Sequence, residues 1–149
     1  MKLSKLAKSR LNTLIRYMEK LPASANKHFY MGNWFGHQSE GHAHLKKGET
    51  VTREHLQHCG TQACALGWAA TIPAFNKAGL EIRMDDERTG WPYLDGKKYT
   101  HNRGLIAAQK FFDIAPAQAS ALFGFDLFIR TPKQWAKSAR KEMKEWSRG

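Results

Sequence analysis

The sequence predicts a mainly α fold within the α+β class: a compact helical domain of about five or six helices with one small β-hairpin. Apolar residues recur at spacings of three and four near both ends of the chain, which is the period of an amphipathic helix. Prolines at Pro73, Pro116 and Pro132 stand where a first helical residue would. The Asp95-Gly96 pair between two short polar-apolar segments is a strong hairpin signal.

The chain of 149 residues fits one domain with one hydrophobic core. It has no apolar run of the roughly 20 residues that a membrane span needs, and its N-terminus does not resemble a signal peptide. Its two cysteines cannot form a disulfide framework, so a reducing cytoplasm is expected. We therefore expect a cytoplasmic protein with no membrane partner and no cofactor.

The net charge of +11 is concentrated at the two ends of the chain. Residues 1–30 carry seven Lys/Arg against one Glu, and residues 130–149 carry seven against two. The intervening residues 31–129 are neutral overall, with ten basic and ten acidic side chains. The single domain is thus expected to have a basic N-terminal helix, a charge-neutral core and a basic C-terminal helix, a distribution that suits polyanion binding. A merely solubilising surface is the alternative.

The first half of the chain predicts two helices and a short anchoring segment. Residues 4–21 form an amphipathic helix with Ser4 as its N-cap, and Pro22 ends it. Residues 29–35 are a short strand or an anchor loop that packs on the core, and residues 36–50 are a polar loop. Thr61 is expected to cap a central helix at about residues 62–71.

The second half predicts a hairpin between short helices. A helix that starts at Pro73 stops at Gly79, and residues 80–84 alternate like a strand. Helical spacing resumes over residues 103–113, and a further helix runs from Pro116 to Gly124. The last helix opens at Thr131-Pro132 and reaches about residue 147.

The C-terminal helix is expected to carry two faces. Trp135, Ala139, Met143 and Trp146 recur on one side, which can dock on the core. A cationic ridge on the other side provides candidate ligand-binding residues: Lys133, Lys137, Arg140, Lys141 and Lys144. Such a ridge can engage phosphates, bind an acidic protein or only remain solvated.

The segment His58-Cys59-Gly60-Thr61-Gln62-Ala63-Cys64 is the most distinctive of the chain. His58, Cys59 and Cys64 are weak candidates for metal ligands, because the cysteine spacing is unlike a zinc knuckle and a distant histidine such as His42, His44 or His101 would be needed. Cys59 or Cys64 with His101 as base are equally weak candidates for thiol catalysis.

An anion site at the start of the central helix needs fewer partners. Free N–H groups and the Thr61 hydroxyl would face the ligand, while His58 and Arg103 would add charge. Trp91 or Tyr93 of the hairpin would stack on a base. The structural alternative is that Thr61 only caps the helix, that the cysteines pack inside and that Gly67 allows a close crossing.

The chain resembles a family of small uncharacterised phage and bacterial proteins. The resemblance spans about residues 29–139. It is carried by the pattern Cys59-Gly60-Thr61-x-x-Cys64-x-x-Gly67-Trp68-Ala69, together with the pairs Gly79-Leu80, Ala107-Ala108, Phe111-Phe112, Leu122-Phe123 and Thr131-Pro132, and by Phe29-x-Met31-x-x-Trp34 upstream. It implies a compact helical domain and a phage accessory role, in the host cytoplasm if the chain is phage-encoded. It implies no established activity.

Three hypotheses follow for function. The first is a non-enzymatic, phage-type accessory protein that binds a phosphate-rich ligand, nucleic acid or a nucleotide, in a role that would suit the blocking of a host defence. The second is a basic module that inhibits an acidic host protein. The third is a small cysteine-dependent enzyme. The sequence favours a non-enzymatic protein and allows a homo-oligomer.

Overall fold

The computed structural model describes residues 2–32, 34–37, 45–57, 61–85, 89–100, 104–126 and 128–148. Their α-helices are α1 (Lys5–Lys20), α2 (Ala65–Ala69), α3 (Pro73–Lys77), α4 (Leu105–Phe112), α5 (Pro116–Phe123) and α6 (Pro132–Arg148). Two 3₁₀ helices cover Ala23–His28 and His55–Gln57. The strands are β1 (Phe35–His37), β2 (Thr61–Gln62), β3 (Leu80–Met84), β4 (Thr89–Leu94) and β5 (Lys97–Lys98).

The strands form one antiparallel sheet, which corrects the predicted fold class. The order is β2-β1-β4-β3, and β5 pairs with the end of β4. With 54% helix and 16% strand, the fold is α+β, and the prediction of a mainly α domain with a single small hairpin is wrong. The sequence pattern does not predict β1 and β2, because strands of three and two residues are too short to show an alternating pattern.

The predicted hairpin exists inside this sheet. Leu94 pairs with Lys97, so only Asp95 and Gly96 form the turn, with φ of 52° and 81°. Two positive φ values are the signature of a type I′ turn, for which Asp-Gly is preferred. The hairpin prediction is therefore confirmed, but β4 also pairs with β3 from Gly90 to Leu94 and with β1 at Thr89 and Gly90.

The central helix differs from its prediction. Thr61 lies in β2 and does not cap a helix, and α2 begins only at Ala65, with Cys64 as its N-cap. The cause is backbone pairing with the segment that follows the first 3₁₀ helix. The amide of Ala63 donates to His28 O at 3.0 Å, and that of Tyr30 donates to Ala63 O at 3.0 Å. These bonds hold residues 61–63 extended.

A connected group of aromatic rings fills the core between the helices. Phe75 contacts Phe111 and Phe112 edge-on at 5.0 and 5.7 Å, Phe112 stacks on Phe123 at 5.1 Å, and Phe123 lies 5.9 Å from Trp135. The series therefore runs from α3 through α4 and α5 to α6. It fixes the C-terminal helix on the core through Trp135, whose indole also donates to Leu122 O at 2.7 Å.

Every helix of the described residues is too short or too polar to span a lipid bilayer.

Candidate polyanion interface on the terminal helices

Helix α6 presents the two faces that its sequence predicts. Pro132, Trp135, Ala136 and Ala139 are buried, and Met143 and Trp146 pack partly against the core. Because an α-helix repeats every 3.6 residues, the cations spaced between these positions lie on the opposite side. All five predicted ligand-binding residues of this helix are exposed: Lys133, Lys137, Arg140, Lys141 and Lys144.

The basic N-terminal helix packs directly against α6. Arg140 donates through Nε and Nη2 to both carboxylate oxygens of Glu19, at 2.8 and 2.7 Å. Glu19 belongs to a stripe of α1 with spacings of three and four. The stripe's cations are exposed: Lys5, Lys8 and Arg16. The two ends of the chain, which are far apart in sequence, therefore contribute to one surface.

We call this surface the basic ridge. It consists of seven exposed cations: Lys5, Lys8 and Arg16 of α1, and Lys133, Lys137, Lys141 and Lys144 of α6. Within the described residues, none of the seven forms an ion pair with a carboxylate.

Arg140 differs from its neighbours because its charge is compensated. The hydrogen bond from Arg140 lowers the pKa of Glu19, and the same bond raises the pKa of Arg140. Both side chains are about half exposed, at 50% and 39%. Arg140 thus lies at the contact between the two helices, with the ridge cations of α1 on one side and those of α6 on the other.

The predicted stacking residues belong to another part of the molecule. Trp91 and Tyr93 are half-buried on the side of β4 opposite the buried Gly90 and Pro92. The guanidinium of Arg83 lies 4.6 Å from the centre of the Tyr93 ring, and the ammonium of Lys98 lies 5.9 Å from that of Trp91. These cations are themselves paired, Arg83 with Glu81 and Lys98 with Asp85. Each ring therefore already has a cation near it.

The predicted ligand-binding residues belong to separate parts of the fold. Helix α6 packs mainly against α1 and α5, whereas β4 packs against its neighbouring strands and α4. Trp91 and Tyr93 thus do not join the cations of α6 in one site.

Thr61 is fully buried, in β2. Its carbonyl accepts from His28 Nδ1 at 2.9 Å, and its hydroxyl lies 3.3 Å from the same nitrogen. Because a carbonyl can only accept, Nδ1 of His28 carries a hydrogen. Thr61 therefore contributes to an internal network, which continues with the bond from Trp68 Nε1 to His28 O at 3.1 Å.

Cys64 lies in the core with 1% of its surface exposed. Burial raises the pKa of its thiol to about 12, against the weaker opposing effect of the backbone N–H groups of Gly67 and Leu66. The thiolate is the form that attacks an electrophile or binds a metal. The surroundings of Cys64 hence disfavour both roles at neutral pH.

The other candidates of the distinctive segment and its partners lie outside the described residues: His58, Cys59, His101 and Arg103, and also His42 and His44. In the part of the chain that is described, no group of three or more His, Cys, Asp or Glu side chains is placed to hold a metal ion.

Two features of the surface have no counterpart in the sequence analysis. One is Glu19, whose pairing across the helices could not be read from local spacing. The other is a group of exposed aromatic side chains, namely Tyr30 at 37%, Phe125 at 57% and Phe128 at 90% exposure. Phe125 and Phe128 lie between the predicted end of one helix at Gly124 and the predicted start of the next at Thr131. Two phenylalanines in such a short connection were the sequence signal for exposed aromatic side chains.

Comparison of the chain with known protein families, with curated protein sequences and with solved structures finds no match.

Proposed function

We propose that this chain is a non-enzymatic protein that binds nucleic acid through the sugar-phosphate backbone, using the basic ridge. The observation that carries the proposal is the juxtaposition of α1 and α6 at the Arg140–Glu19 pair. It places the stripe of α1 that carries cations next to the face of α6 that carries cations, and phosphate contacts supply most of the affinity of sequence-independent nucleic-acid binding.

The length of the ridge favours a polymer over a single nucleotide. Lys133 and Lys144 are eleven residues apart on one helix, which corresponds to about 16 Å at 1.5 Å per residue. Successive phosphates along one strand of a duplex rise by about 3.4 Å, so α6 alone can follow several of them. A mononucleotide would leave most of these cations without a phosphate.

The buried, high-pKa thiol of Cys64 supports a binding protein over a cysteine-dependent enzyme. A phage-type accessory role against a host defence would be one use of such binding, in keeping with the resemblance of the central segment. It is part of the proposal and is supported by that resemblance alone.

The proposal is tested by measuring affinity for a DNA duplex as a function of salt. If each of the seven ridge cations neutralises one phosphate, the logarithm of the association constant should fall with log [salt] at a slope of about −6. The triple variant Lys137→Glu, Lys141→Glu, Lys144→Glu should bind far more weakly, with a slope flatter by about 3.

A matched control makes the same charge change away from the ridge. Lys46, Lys47 and Lys77 are exposed and lie on a loop and on α3, so their combined change to Glu should leave the slope nearly unchanged. Equal loss in both triple variants would indicate a response to net charge alone. No binding of the wild-type protein to DNA or RNA at low salt would overturn the proposal.

A further inference from the structure

A cavity lies between the segment that precedes α6 and the segment that follows the first 3₁₀ helix. The cavity, of about 270 Å³, is lined by Phe29, Tyr30, Asp126, Ile129 and Arg130. Phe125 and Phe128 flank it along the chain. Burying one such side chain is worth roughly 1.5–3 kcal/mol, so exposure of Phe128 at 90% leaves a large apolar surface unused.

Hydrogen bonds hold several residues at and beside the cavity. A carboxylate oxygen of Asp126 accepts from the amide of Phe128 at 2.8 Å. The amide of Arg130 donates to Gln134 Oε1 at 2.8 Å, and the amide of Gln134 donates to Thr131 Oγ1 at 3.1 Å. The cavity is therefore fixed to the first turn of α6, and Arg130 precedes Lys133 by only three residues.

The lining has the chemistry of a nucleobase site. Tyr30 and Ile129 offer apolar and aromatic surface for the faces of a planar ring, on which bases stack. Asp126 and Arg130 provide an acceptor and donors for its polar edge. The volume lies just below the ~300–1,000 Å³ of sites for drug-sized ligands, which favours a single ring system.

The charges in and next to the cavity distinguish between possible ligands. A free apolar ligand would gain nothing from Asp126, and a phosphate would be repelled by it. A base that belongs to a nucleic-acid strand fits both the cavity and the adjoining cations. The base occupies the cavity, and the cations of α6, beginning with Lys133, attract the phosphates of the neighbouring nucleotides.

We propose that this cavity binds an unpaired nucleobase of a single strand whose backbone runs along the basic ridge. The proposal rests on the function proposed above and adds a preference for single-stranded over duplex nucleic acid.

The test compares three probes of equal length: oligothymidine, the same sugar-phosphate strand without bases, and a duplex. The variant Phe128→Ala should fold as the wild type does, since the side chain is almost fully exposed. Tyr30→Ala should weaken binding of oligothymidine by about 5- to 150-fold, the range measured for base–aromatic stacking, because Tyr30 lines the cavity. Phe128→Ala, outside the lining, should weaken it less. Affinity for the other two probes, and the salt slope for all three, should not change.

Leu6→Ala is the matched control, because Leu6 is an exposed apolar side chain of α1, at 45% exposure, away from the cavity. It should bind all probes as the wild type does. If the aromatic variants bind oligothymidine as tightly as the wild type while the ridge variant loses binding, the base site is refuted and the ridge stands. If Phe128→Ala abolishes binding to phosphatidylcholine–phosphatidylserine vesicles and leaves oligothymidine binding intact, the loop is a membrane contact and the proposal fails. If the wild type binds none of the three probes at low salt, the proposed function itself fails.

Discussion

Arg140 and Glu19 are 121 residues apart in sequence and form a bidentate ion pair that joins the first and last helices. Each helix carries an excess of positive charge, so bringing them together has an electrostatic cost. The pair offsets part of this cost by placing a carboxylate between two rows of cations. It also withdraws one positive charge from the surface that we propose to bind nucleic acid.

Glu19→Gln should therefore strengthen nucleic-acid binding while weakening the fold slightly. The substitution releases Arg140 to contact a phosphate, so the salt slope should become steeper by about one. Because the pair is half exposed, the free energy of unfolding should fall by no more than about 1 kcal/mol. Affinity measured across a salt series, with denaturant unfolding alongside, checks both effects. A weaker affinity for DNA would contradict a phosphate contact by the released Arg140.

The pH dependence of this pair has a definite sign. The pKa of Glu19 is lowered in the folded protein by the hydrogen bond from Arg140. Its contribution to stability should thus be complete above the ordinary carboxyl pKa of 4.5 and disappear as the pH falls through the lower folded-state value. Unfolding curves of wild type and Glu19→Gln should differ at pH 7 and converge in acid. A difference that grows as the pH falls would exclude this linkage.

The helices were predictable where a local signal marks the residue at which they begin. Ser4 does cap α1 by accepting from the Ala7 amide at 3.0 Å, and Pro73, Pro116 and Pro132 are the first residues of their helices. The sheet was not, because β1 and β2 are held by pairing with distant strands. A two-residue strand such as Thr61–Gln62 has no periodicity of its own.

The candidate site was predictable in part for the same reason. The cations of α6 follow from helical spacing, which needs only local sequence. The contribution of Lys5, Lys8 and Arg16 depends on the packing of α1 against α6, which is a tertiary contact. The predicted anion site that grouped Thr61 with Trp91 and Tyr93 depended on Thr61 as a helix cap, whereas Thr61 is buried in β2.

Gly67→Ala should destabilise the protein strongly. A Cβ at this position would overlap the carbonyl oxygen of Trp34 and lie 2.7 Å from the Ala63 Cβ. The oxygen is a main-chain atom and the Ala63 Cβ is attached directly to the main chain of a buried residue. Neither can move without the backbone, so we expect a loss of about 1–3 kcal/mol or more. Gly32→Ala is the control: the atoms nearest its Cβ belong to the ring of Tyr30, an exposed side chain that can rotate. Thermal unfolding that shows equal losses for the two variants would disprove the close crossing.

Cys64 should resist alkylation in the folded protein. With a pKa of about 12, only about one thiol in ten thousand is ionised at pH 8, and the side chain is also closed to solvent. Iodoacetamide treatment followed by peptide mass spectrometry should find Cys64 unmodified without urea and modified with it. Rapid labelling under native conditions would reopen the hypothesis of a thiol enzyme.

Trp135→Phe tests how the C-terminal helix is anchored. The change removes the donor to Leu122 O, which lies inside the protein, and an unsatisfied buried carbonyl costs about 1–3 kcal/mol. Trp146→Phe makes the same substitution on the same helix at a partly buried position, so its cost should be below about 1 kcal/mol. Melting temperatures should rank the variants in that order. Nucleic-acid affinity of the folded molecules should match that of the wild type, because neither residue belongs to the basic ridge. Similar melting temperatures would mean that the indole hydrogen bond does not anchor α6.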